Sequence, residues 1–279
     1  MEKRKSVRTY EVTPIAPAAH ASIMEYLAAE ENLRGPFGGV PGIEWIWAKN
    51  GAGEGKGMKL GAYGIIVNPQ AYLVGSVRNE KLALLEFGYT FQKLILHATG
   101  LGLGTCWIGG TFNRKSFARE LELAEGEIIP CITPLGYARE KQRLLDTTMR
   151  YVVKADNKKP WKDLFCDSRF GQPLSPEAAG ELAVPLEMVR IGPSASNKQP
   201  WRLVMSPDRR QVHFYLLHTP NYSGNKLGFQ MQRIDIGIAA CNFELACREL
   251  GIAGAWTMND PGIEADSPHL EYMLSYTLS

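Results

Sequence analysis

Two long stretches of the chain repeat each other without a gap. The segment EFGYTFQKLILHATGLGLGTCW (86–107) aligns with DIGIAACNFELACRELGIAGAW (235–256). Glycines, leucines and a tryptophan recur at aligned positions: Gly88 with Gly237, Leu96 with Leu245, Gly102 with Gly251, and Trp107 with Trp256. Both segments have the apolar spacing of a helix and stop at a glycine, which predicts two helices that each end in a glycine cap. The repeat therefore favours a fold whose core is built twice.

A second, weaker match lies upstream of each helix. RGPFGGV (34–40) aligns with IGPSASN (191–197), although an insertion or deletion separates this match from the first one. An apolar run with helical spacing precedes each Gly-Pro turn. Chance similarity between two core helices is the alternative. The shared order of helix, Gly-Pro turn, strands and glycine-ended helix favours internal duplication.

Apolar segments bounded by glycine or Asn-Pro turns predict the strands. They occupy residues 43–49, 58–67, 70–77, 128–138, 202–206, 212–218 and 269–278. Helices and strands alternate without a regular βαβ pattern, so the sequence favours an α+β fold over a doubly wound sheet.

The composition excludes several classes of protein. Lysine and arginine number 31 against 29 acidic residues, so we expect no nucleic-acid surface. The five cysteines form no CxxC pair, which argues against a disulfide framework or a zinc ribbon and fits a reducing compartment. Neither a signal peptide nor a membrane-spanning apolar run is apparent. We therefore expect a cytoplasmic protein that does not bind membranes.

Several motif-like patterns lack the context that their chemistry needs. GAGEGKG (51–57) does not have the spacing of a phosphate loop, and a hairpin loop is the better interpretation. GLGLG (100–104) follows a predicted helix, whereas a dinucleotide fingerprint follows a strand. Ser194 lacks a nucleophile elbow, and the histidines have no metal-ligand spacing. We expect no metal site and no side-chain catalytic dyad.

Three polar or glycine-rich stretches remain as candidate binding segments. RKSVR (4–8) offers cations for a phosphate, although a solvated charged terminus is the ordinary interpretation. GLGTCWIGG (102–110) lets a backbone approach a flat ligand, or is simply a helix cap and turn. GPSASNKQPW (192–201) leads into an apolar strand, and its ordinary interpretation is a helix-to-strand loop.

Together these stretches resemble the FMN-dependent nitroreductase family. That family typically has an Arg-Arg-Ser-x-Arg segment, a Pro-Ser-x-x-Asn-x-Gln-Pro-Trp loop and a Gly-Leu-Gly-Thr-x-Trp-x-Gly turn. Its chains dimerise, and each FMN takes the first and third segments from one subunit and the loop from the other. Here the order differs, because residues 1–164 keep the Arg-Ser-Arg segment and the turn, while residues 165–279 keep the loop. The chain thus resembles the fused, single-chain nitroreductase-like group.

The resemblance implies an internally duplicated nitroreductase-like fold. Its two units, 1–164 and 165–279, would pack as a pseudo-dimer with one FMN site between them. The implied cofactor-binding residues are Arg4, Lys5, Ser6, Arg8, Trp107, Ile108, Gly109, Gly110, Pro193, Ser194, Ala195, Asn197 and Gln199. The cations would hold the phosphate, with Lys158 or Lys159 as additions. Side chains of the loop would meet the edge of the flavin, and backbone N–H groups of 108–110 would face N5 or O4.

The implied activity is electron transfer from NAD(P)H through flavin N5 to a nitroaromatic, quinone or other small acceptor, without a catalytic side chain. The alternatives are a non-catalytic or regulatory flavin or small-ligand binding protein, and flavin chemistry such as dehalogenation or ring fragmentation. Phe37, Tyr63 and Phe229 are candidates for the substrate side. The choice between NADH and NADPH stays open, and we expect a monomer that acts as an internal pseudo-dimer.

Overall fold

The computed structural model describes residues 1–48, 66–119, 121, 123–139, 157–222, 227–265 and 267–279. The predicted loop 51–57, most of the predicted strand 58–67 and Tyr63 lie outside the described residues. The chain divides into two compact units, one formed by Met1 and Lys3–Ala155, the other by Glu2 and Asp156–Ser279. Among the described residues, no helix combines the length and apolar character needed to cross a membrane.

The first unit packs helices against a small antiparallel sheet. Its described helices are α1 (Pro17–Ala28), α2 (Glu30–Leu33), α3 (Lys81–Gly100) and α4 (Arg114–Ala118). Its described strands are β1 (Gly42–Trp47), β2 (Ala71–Arg78), β3 (Glu127–Ile128) and β4 (Ile132–Leu135). Strand β2 is central, because it pairs antiparallel with β1, β3 and β4.

Helix α3 is the core helix of the first unit. Buried residues cover every face of its middle part, which is why its sequence is apolar almost throughout. It ends as predicted, with Gly102 at a φ of +80°. The N–H of Leu103 then donates to the carbonyl of Ala98 at 3.0 Å. This is the Schellman closure, which needs a left-handed residue that glycine adopts without strain.

The second unit has a larger sheet. Its described helices are α5 (Pro176–Ala179), α6 (Ala183–Arg190) and α7 (Met231–Glu249), with short 3₁₀ turns at Trp161–Asp163, Gly180–Leu182 and Ala195–Asn197. Its described strands are β5 (Phe165–Asp167), β6 (Trp201–Met205), β7 (Gln211–Leu217), β8 (Gly254–Thr257) and β9 (Leu270–Leu278). The order is β5-β6-β7-β9-β8, and the β5–β6 pair alone is parallel among these strands.

Helix α7 closes in the same way as α3. Gly251 has a φ of +72°, and the N–H of Ile252 donates to the carbonyl of Cys247 at 2.9 Å. These residues align one for one with those that close α3 in the sequence repeat. The shared cap supports internal duplication, which stays a hypothesis. Both units mix helices and strands, in agreement with the predicted α+β class.

The sequence predicts units of residues 1–164 and 165–279, and the two compact units of the structure are divided between residues 155 and 156. Leu164 contacts the second unit, because its carbonyl accepts a hydrogen bond from the N–H of Leu203 in β6 at 2.9 Å. Strand β5 then pairs with β6.

Candidate functional site

The N-terminal segment 4–8 lies along the turn that follows α3. Ser6 and Thr105 form a parallel bridge, and the N–H of Val7 donates to the carbonyl of Thr105 at 2.8 Å. A Cβ atom on Gly104 would approach the Val7 side chain to 2.9 Å, so the close approach depends on glycine. Two of the three predicted segments are thus adjacent within the first unit.

Arg8 and Thr105 each carry a buried polar atom in this region. Among the described residues, neither Nη1 of Arg8 nor Oγ1 of Thr105 has a hydrogen-bond partner. Arg4 and Ser6 are partly buried, whereas Lys5 is exposed. A buried donor without an acceptor costs free energy, and a guanidinium meets that need best with an anion. These groups therefore fit a bound phosphate.

The turn at 107–110 has fewer free backbone N–H groups than the sequence implied. The N–H and the carbonyl of Ile108 both pair with Ile132, at 3.0 and 2.9 Å. Our expectation that the N–H groups of 108–110 face a cofactor therefore does not hold for Ile108, because the sheet already uses its N–H. The indole N–H of Trp107 donates to Oε1 of Gln92 at 3.1 Å, and its ring packs edge-on against Phe91.

The loop of the second unit is held in an uncommon conformation. Ser196, Asn197 and Gln199 have φ values of +49°, +52° and +46°. Left-handed backbone at residues other than glycine costs free energy and persists only where surrounding contacts impose it. Here Oγ of Ser194 accepts from the N–H of Gln199 at 2.8 Å, and the N–H of Ala195 donates to Asp235 at 2.9 Å.

Asn197 and Gln199 bond within the second unit. Gln199 is 1% exposed. Its Oε1 accepts from the N–H of Lys159 at 2.7 Å, and Nδ2 of Asn197 donates to the carbonyl of Asn157 at 3.0 Å. Nζ of Lys158 donates to the carbonyl of Gly192 at 2.6 Å. The segment 157–159 therefore clamps the loop, whereas the sequence implied that Asn197 and Gln199 offer their side chains to a ligand.

Comparison with known proteins identifies the family of this chain. A family model described as "Putative TM nitroreductase" matches residues 1–247. The chain belongs to this nitroreductase family. A solved structure described as a "putative nitroreductase" from Thermotoga maritima is 18% identical over 99% of this chain and 91% of its own, with a TM-score of 0.59. That likeness shows the nitroreductase fold, which the sequence predicted.

Shorter nitroreductase structures match about half of this chain. One from Bacteroides fragilis with bound FMN is 18% identical over 51% of this chain and 88% of its own, with a TM-score of 0.38. An FMN-dependent nitroreductase from Clostridium difficile is 18% identical over 51% and 87%, with a TM-score of 0.36. No curated protein matches the chain.

Buried acids anchor the Gly-Pro loop in both halves of this family member. Oε1 of Glu86 accepts from the N–H groups of Phe37 and Gly39, each at 2.9 Å. Asp235 does the same for Ala195 at 2.9 Å. Glu86 and Asp235 stand at the first aligned position of the sequence repeat. The repeat of an acid at this position was the signal in the sequence, but it does not reveal the loop that the acid anchors.

Burial raises the pKa of Asp235 to about 8. The N–H of Ala195 and the charge of Lys158 act in the opposite direction, but they do not offset desolvation. Oδ2 of Asp235 is buried and has no hydrogen-bond partner among the described residues, which suits a neutral acid better than a carboxylate. No cluster of metal-binding side chains occurs in the part of the chain that the structure describes.

The clamp on the loop predicts a stability effect for Gln199→Leu. The substitution leaves the N–H of Lys159 without its buried acceptor, so we expect the free energy of unfolding to fall by about 2 kcal/mol. Urea denaturation measures this. Lys198→Ala, at an exposed neighbouring position, is expected to change it by less than about 0.5 kcal/mol. Equal effects for the two variants would contradict the clamp.

Proposed function

We propose that this family member is an FMN-dependent oxidoreductase that passes electrons from NAD(P)H to a nitroaromatic, quinone or similar small acceptor. The observation that carries the proposal is a buried nitrogen of the Arg8 guanidinium that has no hydrogen-bond partner among the described residues, on the segment that lies along the turn after α3. Membership of the nitroreductase family and the FMN in the names of relatives support the same conclusion.

The residues present suit FMN. Its phosphate is a dianion, which Arg8, Arg4 and Lys5 would neutralise and to which Ser6 would donate a hydroxyl hydrogen bond. The peptides at Gly109 and Gly110 offer N–H donors once Ile108 is committed to the sheet. Pro193, Ser194 and Ala195 are partly exposed, so they would be accessible to the flavin.

FMN, when bound, accepts a hydride equivalent and passes electrons on. The chain then has three tasks: neutralising the phosphate, orienting the ring, and holding the loop rigid. The loop anchors at Asp235 and Gln199 serve the last of these, because preorganised groups lose little entropy on binding. No proton transfer by a side chain is required.

We further propose that each chain holds one FMN, to which both units contribute. Each unit carries only part of the required chemistry. The first unit has Phe37 and Gly38 where the second has Ser194 and Ala195, so its loop lacks the polar side chain. In the second unit we take Ser168-Arg169-Phe170, which has one cation, as the counterpart of the cationic segment. If the two units share one FMN, the first unit does not need a polar loop and the second does not need a cationic segment.

Purification of the full chain tests the proposed activity. We expect a yellow protein whose FMN absorption is bleached anaerobically by NADH or NADPH and restored by a quinone. A protein that retains no FMN and takes none up would overturn the proposal. Bound FMN that neither nicotinamide reduces would instead support the non-catalytic flavoprotein.

A further inference from the structure

The side chain of Arg114 donates hydrogen bonds to the backbone of the turn at 107–110 and of the neighbouring segment 129–130. Its Nε donates to the carbonyl of Ile129 at 3.0 Å, and its Nη2 donates to Pro130 at 3.1 Å and to the carbonyl of Gly109. One planar guanidinium thus joins three carbonyls from two segments, which the single ammonium of a lysine cannot reproduce.

Arg114 is held in position by the start of α4 and by the ring of Phe112. It is the first residue of α4, whose N-cap Asn113 accepts from the N–H of Ser116. Its guanidinium lies 4.5 Å from the centre of the Phe112 ring, and Phe112 packs edge-on against the buried Phe117. Burial lowers the pKa of Arg114, but an arginine is basic enough to stay charged.

The contact with Gly109 fixes the direction of the next N–H. In a planar trans peptide the carbonyl and the following N–H point in opposite directions. Because the Gly109 carbonyl faces Arg114, the N–H of Gly110 faces away from it. Gly110 is exposed, and a Cβ atom built on it meets no described atom within 4 Å. The Gly110 N–H has no acceptor among the described residues, so it is available to a ligand, with the cation on the far side of the peptide.

We infer that Arg114 is a positioning residue for FMN: it aims the Gly110 N–H at the flavin, and its charge favours the electron-rich, reduced form. The inference rests on the proposed function. The cation polarises the Gly109–Gly110 peptide and strengthens its N–H as a donor. An electron-rich flavin gains more from such a donor than an oxidised one does, so removal of the charge acts unequally on the two forms.

The experiment compares the wild-type protein with Arg114→Gln, Arg114→Lys and Lys115→Gln. Dissociation constants are measured for oxidised FMN by fluorescence, and the midpoint potential of bound FMN by equilibration with a reference dye. We expect Arg114→Gln to weaken binding of reduced FMN about tenfold more than binding of oxidised FMN. For a two-electron couple this corresponds to a potential about 30 mV more negative.

The other two variants separate charge from placement. Arg114→Lys keeps the charge but cannot bridge three carbonyls, so we expect weaker FMN binding with a smaller change in potential. Lys115 is exposed on the same helix, and its replacement is expected to leave the potential unchanged, because solvent screens its charge. An unchanged potential in Arg114→Gln, or an equal change in Lys115→Gln, would overturn the inference.

A second pair of variants keeps Arg114 in place in case its replacement prevents folding. Gly110→Pro removes the N–H, whereas Gly110→Ala keeps it in a space that accepts a Cβ atom. We expect a more negative potential in the proline variant than in the alanine variant, and equal potentials would overturn the inference. If the wild type binds no FMN, the proposed function itself is wrong. If it binds FMN but the potentials do not move, only the role of Arg114 is wrong.

Discussion

Replacing Arg8 by alanine is expected to weaken FMN binding about a hundredfold, or on the order of 3 kcal/mol. The guanidinium has a buried nitrogen that lacks a partner among the described residues. The free-energy cost of removing this nitrogen from water is therefore already present in the protein without ligand. A phosphate oxygen supplies the missing acceptor and an opposite charge. Fluorescence titration of the apoprotein with FMN measures the effect.

Arg78→Ala is the matched control for Arg8→Ala. Arg78 belongs to the same unit, but its side chain is exposed and lies 3.8 Å from Glu80 in a solvent-accessible ion pair. Such pairs contribute little, and we expect FMN binding within twofold of the wild type. If Arg8→Ala binds FMN as tightly as Arg78→Ala does, the phosphate does not lie at Arg8.

Asp235→Asn is expected to remove a pH dependence of stability from the protein. The pKa of Asp235 is raised from its ordinary value of 3.8 to about 8 by burial, so the folded state holds a proton that the unfolded state has released. The free energy of unfolding then falls as the pH rises from about 4 to about 8 and is level above that range. The contribution of the protonated Asp235 to stability is therefore complete below 3.8, its ordinary pKa, which the unfolded state keeps.

Asparagine keeps the hydrogen bond but has no proton to lose. Its side-chain oxygen still accepts from the N–H of Ala195. We therefore expect Asp235→Asn to be more stable than the wild type at pH 8, and the difference to vanish towards pH 4. Urea denaturation across this range measures it, with the exposed Asp163→Asn as control. The same slope in wild type and Asp235→Asn would show that Asp235 does not titrate as described.

Local patterns in the sequence predicted the main elements well. Helices α3 and α7 and their caps followed from apolar spacing and from Gly102 and Gly251, because both signals act over a few residues. Most described strands lie where alternating apolar residues and turns placed them. Strands β5 and β8 were not predicted, since Phe165–Asp167 is too short to show alternation and Gly254–Thr257 reads as an extension of the helix cap.

The side-chain arrangement of the site was not predictable in the same way. The inward turn of Gln199 depends on left-handed backbone and on a partner, Lys159, far away in sequence. The role of Arg114 depends on carbonyls of residues 109, 129 and 130, which no spacing rule connects. The adjacency of Ser6 and Thr105 likewise comes from tertiary packing. Sequence motifs identified the segments of the candidate site. Tertiary contacts determine which of their atoms are free to bind a ligand.

The number of FMN molecules bound per chain tests the central claim most directly. Equilibrium titration of the full-length apoprotein with FMN, against a protein concentration fixed by amino-acid analysis, gives this number. We expect one FMN per chain, because the cationic segment and the polar loop each occur once. Two FMN per chain would contradict the shared site, because each unit would then hold its own cofactor, and no bound FMN would contradict the proposed function itself.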